Sequence, residues 1–198
     1  MQLLRSKLEF AEVVEVTGKM GLHHLMRLQC HYNVTLLKQF YSTLVIKGDE
    51  ARTLKWMSGD VYCEATFYEF AQLLGYAFKG ISTPCGIRLH GPERTDKNRL
   101  VELYGRDGVV GDTKGLLPLY DLLVRIFREN IDPSGGNNDS LRGHLVDLLL
   151  LAHEIANTEE PEREYSLDVM DYIYNEMFEA MSTRLTMPYA PYVMFLIK

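Results

Sequence analysis

Apolar side chains recur every three to four positions over most of this chain, and that spacing predicts helices. Residues 7–17 place Phe10, Val13, Val14 and Thr17 on one helical face. Gly18 and Gly21 interrupt, and Leu22, Leu25 and Met26 predict a second, short helix. Asn33 is placed to cap a helix carrying Leu37, Phe40, Tyr41 and Leu44, ending near Gly48. The pattern then changes. Thr53 to Met57 reads as a strand, Ser58, Gly59 and Asp60 as a turn, and Val61 to Cys63 as the returning strand of a small hairpin. Thr66 and Glu69 have capping-box spacing and open a helix with Phe67, Phe70, Ala71 and Leu74 on one face, ending at Gly75.

Residues 76–97 are rich in Gly, Pro, Thr and Ser and read as a loop. A short helix is expected from Asn98 to Tyr104, followed by a loop with four glycines, Gly105 to Gly115. Leu116 to Glu129 is amphipathic, with Leu116, Tyr120, Leu123 and Phe127 facing one way. After a turn at 131–138, Asp139 or Ser140 is expected to cap a helix whose segment Leu145 to Ile155 is apolar almost all round, hence central and buried. Residues 157–165 form an acidic loop interrupted by Pro161. Ser166 then caps a helix with Leu167, Met170, Ile173, Tyr174, Met177, Phe178 and Met181 inward and Asp168, Asp171, Asn175 and Glu179 outward. Pro188 suits the first turn of a last short helix. The reading is a mainly α fold: one compact multi-helix domain over 1–198 with one small β-hairpin near residues 53–63. Within it, an N-terminal subdomain at 1–76 and a C-terminal helical part at 98–198 are expected.

Composition supports a packed core: 46% of residues are hydrophobic and 24% charged. Apolar runs such as Leu148 to Ala152 are far below the roughly 20 residues of a membrane span, and no secretory signal is visible. The three cysteines, Cys30, Cys63 and Cys85, are widely spaced, which excludes a Cys-x-x-Cys ribbon or redox pair and suits a reducing compartment, nucleus or cytoplasm. Charge is uneven. Residues 1–100 carry 13 basic and 10 acidic side chains (+3), residues 101–198 carry 8 and 17 (−9), and the whole chain is −6. An acidic C-terminal half repels phosphate backbones.

Catalytic patterns fail one by one. Gly105 to Gly115 superficially resembles a phosphate loop, but Gly111 is followed by Asp112 where Lys is required. Cys30 and His31 with His23 and His24 lack a second ligand pair for a metal. His144 and Asp147, one turn apart, read as a hydrogen-bonded polar pair at a helix edge. Arg125 and Arg128 have the charge to pair with the acidic helix that follows residue 167. The stripe Met170, Met177 and Met181 reads as core before it reads as an adaptable binding face. No cofactor is implied.

Several segments, in order, resemble one family. They are KMGL at 19–22, QFYSTL at 39–44, TLKWM at 53–57, EFAQLLGY at 69–76, LPLYDLLVRI at 117–126, IDP at 131–133 with GN at 136–137, LDVMD at 167–171 and PYAPY at 188–192. Together they resemble the putative plant transposon proteins, which accompany Athila-type retroelements, over residues 19–197. The front half is also similar to the plant mobile domain. Ser134 departs from the pattern, where a basic residue follows Pro133. The resemblance implies a gag-side portion of a retroelement polyprotein and carries no catalytic residues.

The function expected is therefore a non-catalytic, retroelement-derived, gag-like protein-interaction or assembly domain of a plant. It would self-associate or bind protein partners through an exposed aromatic patch such as Tyr189, Tyr192 and Phe195. Two alternatives stand beside it. One is a divalent-metal-dependent nuclease or transposase-like enzyme, which needs three converging carboxylates. The other is a weak nucleic-acid-binding module using the basic stretch Lys79, Arg88, Arg94, Lys97, Arg99 and Arg106.

Overall fold

The computed structural model describes residues 2–28, 30–48, 52–76, 97–132, 139–141, 143–158, 167–183 and 187–197. The expected loop at 77–96, the turn at 133–138, the acidic loop at 159–165 and the cap Ser166 lie outside the described residues. In chain order the elements are α1 (Gln2–Lys19), α2 (His23–Arg27), α3 (Val34–Thr43), β1 (Val45–Ile46), β2 (Leu54–Ser58), β3 (Val61–Ala65), α4 (Phe67–Leu73), a 3-10 helix (Lys97–Leu103), α5 (Pro118–Asn130), α6 (His144–Asn157), α7 (Val169–Thr183) and α8 (Ala190–Ile197). The fold is mainly α with one small antiparallel sheet, as the periodicity predicts. The chain forms two compact units, each built from two separated segments. The first comprises Met1–His23 and Gly86–Leu167, the second His24–Cys85 and Asp168–Lys198.

In the first unit α6 is the central helix. Leu145, Leu148, Leu149, Leu151, Ala152 and Ile155 are all buried, because a helix apolar on every side has no face to give to water. α1 and α5 pack on it and on each other, and the 3-10 helix closes one side. α1 turns Val13, Val16 and Thr17 inward, and Met20 just past its end is buried too. Phe10 and Val14, expected on that face, are exposed, because the buried stripe continues through Met20 and Leu22 and rotates the helix away from them. Thr17 sits in the core by donating its hydroxyl to the Val13 carbonyl at 2.7 Å. α5 begins at Pro118, whose missing N–H costs nothing in a first turn, and buries Tyr120, Leu123, Val124 and Phe127.

Leu116 lies outside α5 and bridges Tyr104 instead. The expected caps of α6 are likewise used elsewhere. Ser140 bridges Asp112, the Asp139 carbonyl accepts from the Thr113 N–H, and the helix starts after Gly143 without a side-chain cap. Between Tyr104 and Leu116 the glycine-rich loop closes on itself. The Tyr104 hydroxyl donates to the Asp112 carbonyl at 2.7 Å and accepts from the Gly111 N–H at 3.0 Å.

In the second unit three strands run in the order β1-β2-β3, all antiparallel. The register Trp56↔Cys63 and Leu54↔Ala65 puts the buried Trp56 and Leu54 on one face with Cys63 and Ala65. α3 covers that face, with Phe40 and Trp56 ring centroids 5.5 Å apart. Asn33 caps α3 as expected, accepting from the N–H groups of Thr35 and Leu36. α3 also fixes the sheet at two points. Gln39 binds the Gly59 carbonyl and N–H at the hairpin turn, and the Thr43 hydroxyl accepts from the Met57 N–H just before β1 begins. The capping box of α4 forms completely. α8 packs against α3 and α4, and the Tyr41 hydroxyl donates to the Pro188 carbonyl. Pro188 therefore belongs to the turn before α8 rather than to its first turn.

Along α7 burial is nearly continuous from Leu167 to Tyr174. Met170 and Met177 are core, as the apolar stripe predicts, while Phe178 is exposed. Asp168 and Asp171, expected to point outward, are buried. The Asp168 carboxylate accepts from the Asp171 N–H at 3.0 Å and so caps the helix. Asp171 is drawn inward by a cation, Arg52.

Candidate functional site

Three places carry enough chemistry to be weighed. The first is a buried relay in the first unit. His153, only 8% exposed on α6, places Nδ1 against the Tyr120 hydroxyl of α5 and Nε2 2.8 Å from a Glu102 carboxylate oxygen of the 3-10 helix. Asn157 donates to the His153 carbonyl at 2.8 Å, which orients its amide nitrogen toward Nδ1 at 3.1 Å. A donor facing Nδ1 requires that nitrogen to be unprotonated. Nε2 is then the ring nitrogen that donates to Glu102. His153 holds the Glu102 carboxyl below its ordinary range, with Arg99 adding to the effect from 3.6 Å.

Hydroxyl, imidazole and carboxylate stand in the order of a nucleophile, its base and the group that orients the base. The electrostatics oppose that use. Burial pushes the Tyr120 hydroxyl above its ordinary pKa, and the Glu12 and Glu102 carboxylates push it further, so the phenolate is disfavoured. At 5% exposure the ring has no face to offer a substrate. The relay joins three elements by hydrogen bonds and satisfies a histidine that α6 has carried into the core.

The second place is Arg52 in the second unit. Its guanidinium lies 2.8 Å from Asp171 and stacks 4.8 Å from the centroid of Tyr174 and 5.7 Å from that of Phe67. Asn175 also donates to Asp171, so both carboxylate oxygens are occupied. The third is a cleft of about 400 Å³ on α5, lined by Thr113, Asp121, Val124, Arg125, Arg128 and Glu129. Its two cations face two anions. Arg125 binds Asp121 at 2.7 Å within the helix, and Arg128 donates to the Ser140 carbonyl at 2.8 Å. These partners engage both arginines, and the cleft has no surplus charge to select an ion.

The residues singled out in the sequence fall as follows. Tyr189 and Tyr192 are buried at 3% and 4%, stacked with centroids 6.0 Å apart, and Phe195 is half-buried. Burial raises the Tyr192 hydroxyl well above its ordinary pKa. The tyrosines thus serve the core of the second unit and do not form an exposed patch. Lys79, Arg88 and Arg94 lie outside the described residues, and Lys97 opens the 3-10 helix. Arg99 pairs with Glu102, and Arg106 is exposed in the loop after Tyr104. His144 and Asp147 lie 3.7 Å apart, longer than a hydrogen bond. Among the described residues no three His, Cys, Asp or Glu side chains gather as metal ligands, and no helix is long and apolar enough to cross a membrane.

Exposed apolar side chains occur instead on the strands of the sheet. Val61 is 63% exposed, Tyr62 59% and Val45 53%. The register Lys55↔Glu64 and Met57↔Tyr62 places Tyr62 on the face opposite Trp56, with Val45 beside Lys55, whereas Val61, paired with Ser58 at the hairpin end, lies on the Trp56 side. Lys55 binds Glu64 at 3.0 Å and lies 5.7 Å from the Tyr62 ring centroid, and both contacts raise its pKa. Among the described residues β3 is paired on one side only, by β2. The sequence shows that this hairpin exists but not which strand is left at its edge, because the order of three strands depends on the short β1. No protein-family model, curated protein or solved structure matches the chain.

Proposed function

We propose that this chain is a non-catalytic protein-interaction or assembly domain, retroelement-derived and gag-like, of a plant. The ordered segments between residues 19 and 192 support the retroelement ascription through their resemblance to the putative plant transposon proteins. The observation that carries the interaction reading is the edge of the sheet. A regular strand presents Val61 and Tyr62 to solvent, whereas the buried ionisable side chains of the relay and of the Arg52 pair are engaged with one another. Exposed apolar side chains along an open strand favour contact with another polypeptide.

The reading is tested against its rivals by incubating the full chain with labelled DNA and RNA in magnesium or manganese, and by measuring retention of both at low salt. Intact nucleic acid and no salt-dependent binding are expected. Cleavage that disappears when Asp or Glu residues are replaced by alanine would establish the nuclease instead. Binding whose affinity falls linearly with log salt would establish the nucleic-acid module.

A further inference from the structure

We infer that the chain dimerises by antiparallel pairing of β3 with β3 of a second copy, in a register centred on Cys63. The inference rests on the assembly reading and names its surface. Natural edge strands are usually blunted by lysine, proline, a bulge or a covering element. β3 carries no lysine and no proline, and its pairing with β2 runs without a bulge from Val61↔Ser58 to Ala65↔Leu54. The opposite margin of the sheet is β1, which at two residues, Val45–Ile46, is too short to template a regular ladder. Among the described residues β3 is paired on one side only, and it carries the more exposed side chains, Val61 and Tyr62.

Charge and facing select the partner and the register. Residues directly opposite in a ladder share a face, so a shift by one would turn the Trp56 side of one sheet toward the solvent side of the other. Centring on Glu64 sets the two Glu64 carboxylates against each other. Centring on Tyr62 sets Glu64 against Asp60. Like charges directly opposite are destabilising. Centring on Cys63 sets Tyr62 against Glu64 of the second copy and Val61 against Ala65, with no like-charged pair. The phenol hydroxyl can then donate to a carboxylate that Lys55 already neutralises. The strand is thus complementary to itself, and the product is one six-stranded sheet with both copies of α3 on the same side.

The test is the mass of the full chain by light scattering over a wide concentration range, for the wild type and two variants at the exposed Tyr62. Tyr62→Glu opposes a carboxylate to Glu64 of the second copy at two symmetric places, and a dimer weakened about tenfold relative to Tyr62→Lys is expected. Tyr62→Lys loses the same ring but meets Glu64 with opposite charge and retains the dimer. Far-ultraviolet circular dichroism establishes that both variants fold. Association equal in the two variants would overturn the β3 edge and leave the assembly reading standing on another surface. A monomeric wild type at every concentration would overturn self-assembly itself, and capture of an extended peptide by β3 in a monomer would replace the second copy as its occupant.

Discussion

Arg52 adopts a left-handed backbone conformation, φ 49°, which a residue with a Cβ holds only when its surroundings compel it. The compulsion is the Asp171 carboxylate at 2.8 Å together with the Tyr174 and Phe67 rings. Asp171→Ala removes the partner of a half-buried guanidinium. It is expected to lower the unfolding free energy by about 2–3 kcal/mol in urea titrations, and Asp171→Asn by less. A shift within experimental error would mean the pair is not a tether.

Single groups also set the pH range. Glu69 and Glu102 are held below the ordinary glutamate value of 4.5, the first by the Thr66 backbone and hydroxyl, the second by His153. A depressed carboxyl stabilises the fold above its unfolded value, and that contribution is lost as pH falls through the folded one. Tyr41, Tyr76 and Tyr192 are raised above 10.0 by burial. Their contribution is present below pH 10 and is lost as pH rises through the folded values. Stability should therefore decline on both sides, below about pH 4.5 and above about pH 10, and Glu102→Gln should flatten the acid limb in a denaturation series. An acid limb unchanged by that variant would contradict the relay geometry. The polarity of Asp171 was legible in the sequence but not its burial, because its partner is 119 positions away. His153 carried a usable signal, since a histidine inside an apolar helix must find partners.

At the scale of elements, local chemistry decided most outcomes. Asn33 caps α3, Thr66 and Glu69 form a reciprocal cap on α4, and the 3.6-residue period placed α5 within two residues of its ends, while the apolar segment Leu145 to Ile155 lies inside an α6 that starts after the expected caps Asp139 and Ser140. Where tertiary contacts chose between two faces, as on α1, periodicity selected the wrong pair, Phe10 and Val14. The loop after Tyr104 shows what its glycines are for. A Cβ on Gly115, at φ 91°, would lie 2.3 Å from the Gly108 Cα, and one on Gly108 would lie 2.7 Å from the Tyr104 ring. Backbone against backbone cannot yield, so Gly115→Ala is expected to destabilise the first unit by about 2 kcal/mol or more and to expose the Gly111 amide to hydrogen exchange. Unchanged protection at Gly111 would show that the loop tolerates the methyl group. The resemblance of this stretch to a phosphate loop is thus explained without a phosphate: the glycines allow close approach around Tyr104.

Over the whole molecule, the mainly α class follows from periodicity, whereas the membership of the two units does not. The segment from Asp168 onward belongs with His24–Cys85, although 82 residues of the first unit, Gly86–Leu167, separate them in the chain. No local pattern encodes that return. It rests on long-range contacts such as Arg52 with Asp171 and Tyr41 with Pro188. The same contacts account for Tyr189 and Tyr192, aromatic residues near the end of the sequence that proved to be core. In the proposed assembly the edge of β3, paired among the described residues only with β2, is where the fold would meet a second chain. Sedimentation equilibrium of the unmodified chain tests this most directly. A β3-paired dimer gives a weight-average mass that climbs above the 22.8 kDa of one chain toward twice that value as concentration rises. A mass that stays at the monomer value throughout would contradict it.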